Sequence, residues 1–239
     1  MQKIINVIAY GGGYLANGIN DNGVKTQVPL IDIRGAIITP TDTTPGYFLY
    51  FGMKKNMNQY GKYPILFLSE GIQDPESESF ADLVKELFDD AGRLKASTIY
   101  CEQPKERKNS GGFYRYVWEY RRINNLPCQV RPAPSPKETE YGFTLMQEWS
   151  KHRSIIRPIY VDTVFKQQLA SEDGMLEGSD LKSNEWYAFH ALRFILAGFV
   201  KNPPLPIQQL TKTGWGDKYD SDNILSYQEV NKRSLSAWT

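Results

Sequence analysis

Short apolar runs separated by breakers dominate the first third of the chain. Ile4 to Tyr10 reads as a strand running into Gly11-Gly12-Gly13, and the glycine- and asparagine-rich stretch that follows, through Gly23, reads as turns. Such an opening is an arm or a peripheral hairpin. From Val28 onward, strand-like runs alternate with turn residues: Pro29 to Ile33, Ala36 to Thr39, Tyr47 to Met53 and Ile65 to Leu68. The last three suit an antiparallel meander, with Gly46 and Asn58 to Lys62 supplying the turns.

The period then changes. Phe80, Leu83, Val84, Leu87 and Phe88 recur at helical spacing until Gly92, and Ser79 followed by Asp82 makes a plausible N-terminal cap. A short apolar strand, Ser97 to Cys101, ends at Glu102. A loop, Pro104 to Gly112, leads to a helix from Phe113 to about Asn124 and a strand from Leu126 to Arg131. After the proline-rich linker Ala133 to Pro136, the pattern predicts a helix around Tyr141 to Lys151, a strand from Ile155 to Val161 and a short helix from Val164 to Leu169. The most apolar helix, Glu185 to Phe199, has Ser183 or Asn184 as its cap and is stopped by Asn202-Pro203-Pro204. Beyond Leu210 the composition turns polar and loses periodicity, which reads as a tail that orders against a partner.

Strand–helix–strand units after a meander imply an α/β fold whose mixed sheet has a parallel part covered by helices on both faces. Residues 1–34 form the arm or hairpin, 35–202 the main domain and 203–239 the polar tail. A chain of 239 residues, 41% hydrophobic and 13% aromatic, buries one substantial core without disulfides. A formal net charge of +1 confines any nucleic-acid surface to a local patch. The two cysteines, Cys101 and Cys128, lie in apolar segments without CxxC spacing, which argues against zinc and against a secreted disulfide framework. No stretch approaches the roughly eighteen apolar residues of a membrane span, and no targeting signal is visible. A reducing, cytoplasmic setting without membrane contact is the expectation.

The chemistry is sought among carboxylates. Asp42 stands in Thr41-Asp42-Thr43-Thr44-Pro45-Gly46-Tyr47, just past a strand, where it can equally cap the turn before Pro45. Glu102 closes an apolar strand, at the end where open α/β sheets place their ligands, and is followed by Lys105, Arg107 and Lys108. That basic loop, with Arg115 on the next helix, suits phosphate contact, and Tyr114, Tyr116, Trp118, Arg121 and Arg122 suit stacking or pairing with nucleic acid. The other reading is a solvated loop with the aromatics in the core. His190 lies in Glu185-Trp186-Tyr187-Ala188-Phe189-His190-Ala191-Leu192. It is either a metal ligand or proton shuttle, or a core histidine. Glu185, on a different stripe of the same helix, and Asp180 before it are further candidates. No Gly-x-Ser-x-Gly, His-Glu-x-x-His or Gly-Lys-Ser/Thr motif is present, and neither histidine, His152 or His190, has a nucleophile beside it in sequence.

The element order from about Gly35 to Phe199 resembles the RNase H-like nuclease superfamily. The Asp42 run resembles the first motif of Holliday-junction resolvases. The Asn184 to Leu192 segment resembles the last-helix motif of resolvases and of tailed-phage terminase large-subunit nuclease domains, with His190 where an acid precedes Ala-Leu. Phe143 to Trp149 and the strand ending near Val161 extend the likeness. The resemblance implies a DNA endonuclease that uses Mg²⁺ or Mn²⁺, with Asp42, Glu102 and either His190 or Glu185 as ligands. It also implies a role in viral DNA packaging beside a separate ATPase or portal, in the cytoplasm of a host cell. The rival is a non-catalytic structural or nucleic-acid-binding module, favoured by the incomplete third motif and by the aromatic tail with Trp215, Tyr219, Tyr227 and Trp238. A third option is a nucleotide- or sugar-phosphate-binding protein that uses the N-terminal glycines.

Overall fold

The computed structural model describes residues 3–10, 12–19, 22–40, 45–73, 79–102, 111–133, 136–152, 154–156, 163–170 and 186–204. Five strands come first: β1 (Lys3–Tyr10), β2 (Gly13–Ile19), β3 (Lys25–Ile38), β4 (Tyr47–Lys54) and β5 (Ile65–Ile72). They are followed by α1 (Phe80–Leu94), β6 (Thr98–Cys101), α2 (Gly111–Ile123), β7 (Gln129–Pro132), α3 (Pro136–Lys151), β8 (Ile155–Ile156), α4 (Val164–Ala170) and α5 (Tyr187–Lys201).

All eight strands join one mixed sheet. β1 to β5 pair antiparallel in succession, whereas β6 runs parallel to β3, β7 parallel to β6, and β8 parallel to β5. The expected mixed α/β sheet is therefore present, with β3, β4 and β5 as the meander. Its order is not the plain five-strand one, because the β1–β2 hairpin and β8 are added to it. Since β4 occupies one edge of β3 from Leu30 to Ile38, β2 and β6 must share the other: β2 pairs with Lys25 to Leu30 and β6 with Arg34 to Ile37.

The pairing corrects several sequence expectations. The stretch read as turns after Gly13 is β2, because pairing on both edges satisfies its backbone and outweighs the weak strand propensity of glycine and asparagine. Its first residue has to be small, since a Cβ on Gly13 would lie 2.6 Å from the Leu30 carbonyl oxygen. Pro29 to Ile33 and Ala36 to Thr39 are not two strands but parts of β3, 14 residues long. Gly35, which looked like a break, admits the ring of Tyr50, which comes within 2.3 Å of where a Cβ would stand. Gly92 does not stop α1, which runs to Leu94 and closes on Lys95 in the left-handed region at φ 60°. α3 starts at Pro136, where the missing N–H costs nothing, rather than near Tyr141. α5 begins after Trp186, which makes no side-chain cap; Ser183 and Asn184 lie outside the described residues.

Both faces of the sheet are covered. Ile37, Phe48, Tyr50 and Ile99 face α1 and α2, whereas Ala36, Tyr47, Leu49, Phe51 and Tyr100 face α3, α4 and α5. This two-sided burial explains why β4 is apolar throughout instead of alternating. α5 lies between the sheet and α3, and every residue from Ala188 to Val200 is buried. Gly198 lets the Tyr100 ring lie against the helix, and Gly142 of α3 lets the helices approach at Arg193. Among the described residues no helix is long and apolar enough to cross a membrane.

A buried ion pair ties α5 to β3. Asp32 and Arg34 stand two apart on β3 and so share a face. Arg34 Nε donates to Asp32 Oδ2 at 2.7 Å, Nη1 donates to the Tyr100 hydroxyl at 3.1 Å and to the Gly198 carbonyl, and Nη2 donates to the Asn202 carbonyl. Asp32 Oδ1 accepts from the Ser97 hydroxyl at 2.6 Å and from the Ile33 N–H at 2.8 Å. The end of α5 is thus tied to the sheet: Arg34 joins the Asn202 N–H on the Gly198 carbonyl and holds the Asn202 carbonyl just past the helix.

Candidate active site

β3 and β6 run parallel, so their carboxyl ends open on the same rim. Ile37 pairs with Cys101, and the next residue of β6 is Glu102, whose N–H donates to the Ile37 carbonyl at 3.1 Å. The Glu102 side chain turns back across the gap: Oε2 accepts from the Thr39 N–H at 3.1 Å. Among the described residues Oε1 accepts no hydrogen bond. Burial raises the Glu102 carboxyl above the ordinary range, against the opposing pull of the Thr39 N–H and of the Arg193 charge.

The third contributor is α5: Gly198 lies against Tyr100 of β6, and Arg193, packed against Gly142 of α3, is close enough for its charge to act on Glu102. Arg193 is buried, and desolvation lowers its guanidinium to about 10 although the Glu102 charge works the other way. His190 precedes Arg193 by three residues, about one turn earlier on the same side of the helix. It too is buried, among Phe189, Ala191 and Leu192.

The structure therefore brings Glu102 and Arg193 within electrostatic reach of one another, and His190 is buried on the same helix as Arg193. Asp42, Glu185, Asp180, Lys105, Arg107 and Lys108 lie outside the described residues. Among the described residues no group of three histidine, cysteine or acidic side chains is placed to hold a metal. Arg115 stands exposed on α2, paired with Glu119 at 2.9 Å. The aromatic stripe of α2 divides. Phe113, Tyr116 and Tyr120 pack on Phe80 and Phe88 of α1, whereas Trp118 is partly exposed with Arg122 over its ring at 5.4 Å. Arg121 turns inward and donates to the Cys128 carbonyl. Both cysteines are free and buried.

Sequence reasoning missed Arg193 and Thr39. Arg193 had a visible signal, a lone cation inside the apolar run Ala191-Leu192-Arg193-Phe194-Ile195, which is stable there only beside a counter-charge or hydrogen-bond acceptors. Thr39 contributes a backbone N–H, which no sequence pattern marks.

Fold and site together define a mixed α/β domain with a raised carboxylate at the carboxyl rim of its central parallel strands. No family model matches the sequence, and no curated protein matches it. Among solved structures, a similar arrangement occurs in the large terminase nuclease from thermophilic phage G20c with bound zinc, with a TM-score of 0.44 and 9% sequence identity over 82% of this chain and 91% of that one. A likeness this distant carries neither fold family nor activity over to this chain.

Proposed function

We propose that the chain is a divalent-metal-dependent DNA endonuclease on an RNase H-like core. The observation that carries the proposal is Glu102, an acid at the carboxyl end of a central parallel strand, raised by burial and with one oxygen free of hydrogen bonds among the described residues. A desolvated carboxylate in that position gains from a cation. Supporting it, β5-β4-β3-β6-β7 is a meander joined to two parallel strands. Asp42 follows Thr39, the residue that hydrogen-bonds Glu102, by three positions in the sequence.

The donor set fits a hard cation: Glu102 and Asp42 as oxygen ligands, completed by His190 or Glu185. Mg²⁺ or Mn²⁺ held there supplies Lewis acidity and an activated water for in-line attack on a phosphodiester. The chain itself contributes the Thr39 N–H, which fixes the Glu102 carboxylate. Viral DNA packaging, with a separate motor or portal as partner, is the setting that the sequence resemblance implies.

One observation favours the second reading, a non-catalytic module of the same fold. Arg193 already supplies a positive charge beside Glu102. Plasmid nicking with Mn²⁺, with and without chelator, separates the two. The native chain nicks and chelator stops it, while Glu102→Gln and Asp42→Asn each slow nicking about a thousandfold, a loss of roughly 4 kcal/mol of transition-state stabilisation. Nicking that survives both substitutions removes the nuclease reading, and binding of DNA without any nicking establishes the module.

A further inference from the structure

β3 and β5 both run antiparallel to β4, so the amino ends of β5 and of its parallel neighbour β8 lie at the end of the sheet away from Glu102. There the chain reverses between β4 and β5. The Lys54 N–H donates to the Pro64 carbonyl and the Asn58 N–H to the Lys62 carbonyl, both at 2.8 Å, and Gly61 takes φ 69° to close the turn. Asn58 fastens this turn to the junction of α3 and β8. Its Oδ1 accepts from the Tyr60 and Lys62 N–H groups at 3.0 and 3.1 Å, and its Nδ2 donates to the His152 carbonyl at 3.1 Å and to the Ser154 hydroxyl at 2.9 Å. Trp149 Nε1 adds a bond to the Tyr63 carbonyl at 3.3 Å. Turn and helix end therefore form one bonded corner, which holds its surface side chains in place.

That corner concentrates lysine. Residues 54–64 hold Lys54, Lys55 and Lys62 and no acid, and residues 148–152 add Lys151 and one acid, Glu148. The resulting net charge of +3 exceeds the +1 of the whole chain. Lys62 is occupied, with Glu148 at 2.5 Å and the Trp149 ring at 5.2 Å. Lys55 and Lys151 are exposed, and among the described residues neither has an acidic partner. Lys151 also suits the last turn of α3, whereas no such local reason accounts for Lys55. Beside the lysines Tyr60 is 49% exposed, with its ring against the His152 imidazole at 5.3 Å. A large ring is thus held out at the surface by a turn that its own burial does not stabilise.

We propose that this corner binds single-stranded nucleic acid without regard to sequence, with Lys55 and Lys151 on phosphates and Tyr60 stacking on a base. A protein partner fits worse. Lysine is depleted at protein interfaces, and at this corner Tyr60 is the one large apolar side chain exposed among the described residues, too little for the apolar centre of such an interface. A duplex also fits worse, because its paired and stacked bases leave the Tyr60 ring without a partner. Lysines beside a flat ring match instead the alternation of phosphate and base along one strand. The site goes beyond the nuclease reading and does not depend on it: it lies at the other end of the sheet from Glu102 and uses none of the same residues.

The test is fluorescence anisotropy of a labelled oligothymidylate of about twelve nucleotides, with the full chain and chelator present so that cleavage is silent. Tyr60→Ala weakens binding about tenfold, whereas Tyr60→Phe, which keeps the flat ring, binds like the native chain. Lys55→Gln/Lys151→Gln also weakens binding about tenfold and flattens the dependence of log Kd on log salt by about 1.4, two single-strand phosphate contacts. Lys85→Gln, on the exposed side of α1, leaves both quantities at the native value. All the altered side chains are exposed, so each variant keeps the native melting transition. Absence of oligonucleotide binding by the native chain overturns the proposal. So do binding unaffected by the corner variants, a Lys85→Gln effect as large as theirs, or tighter binding of a duplex of the same length than of the single strand. Plasmid nicking reports on the nuclease reading separately: loss of binding in the corner variants upholds the corner even if the native chain never nicks DNA.

Discussion

Two carboxylates sit at opposite ends of the paired strands β3 and β6, Asp32 buried and Glu102 half-buried, and they are treated differently. Asp32 is well engaged: a guanidinium, a hydroxyl and a backbone N–H converge on it, and Arg34 donates further to Tyr100, to the Gly198 carbonyl of α5 and to the Asn202 carbonyl just beyond that helix. Glu102 accepts one backbone N–H at 3.1 Å and is raised by burial. A carboxylate with three donors on its two oxygens is architecture, because a ligand would have to displace bonds that already stabilise the fold. A desolvated carboxylate with one oxygen to spare is held above its ground level, and a cation relieves it. The difference between the two ends separates the part of the sheet that holds α5 from the part where, among the described residues, a carboxylate keeps one oxygen without a hydrogen bond.

The sharpest way to break that comparison is at the Asp32 end. Arg34→Met leaves the Asp32 charge buried and removes a donor from the Gly198 and Asn202 carbonyls, so urea unfolding should show a loss of about 3–5 kcal/mol. The double variant Asp32→Leu/Arg34→Met removes the stranded charge and recovers most of that loss. Equal losses in single and double variants would mean that the bonds to those carbonyls, not the ion pair, hold the helix.

A smaller effect is expected at Gly198. An added methyl would meet the Tyr100 ring at 2.2 Å and push its hydroxyl from Arg34, for about 1–3 kcal/mol of overpacking. Gly198→Ala within a few tenths of a kcal/mol of native stability would show that the ring gives way without disturbing the network.

Glu102→Gln should act in the opposite direction. Its folded carboxyl lies above the unfolded value, so the folded chain binds the proton more tightly. The stability this supplies is complete below the ordinary carboxyl range and is lost as pH rises through the raised folded value. In chelator, then, Glu102→Gln is the more stable chain at neutral pH, and its stability varies less between mildly acid and neutral conditions. Mn²⁺ stabilises the native chain and leaves the variant unchanged. Parallel pH profiles for the two chains would mean that Glu102 is not the strained group.

Much of the frame was legible because it depends on local spacing. The Ser79–Asp82 capping box forms in both directions, with the Ser79 N–H donating to Asp82 Oδ2 at 3.1 Å and the Asp82 N–H to Ser79 Oγ at 3.3 Å, since both partners lie within one helical turn. The apolar run of α5 forecast burial on all sides, and Glu102 was found because an apolar strand ended on an acid. β2 was not legible, because glycine and asparagine favour turns until two neighbouring strands offer their backbones.

The sequence by itself determined the succession of strands and helices, the buried character of the last helix and the acid at the end of β6, all of which follow from intervals of two to four residues. Only the tertiary structure decided that the Arg193 charge acts on Glu102, that Arg34 reaches the end of a helix far along the chain, and that the glycine-rich opening joins the sheet. Those are encounters between segments whose separation in sequence carries no periodic signal. Burial, charge compensation and backbone satisfaction selected them only once the sheet had brought the segments together.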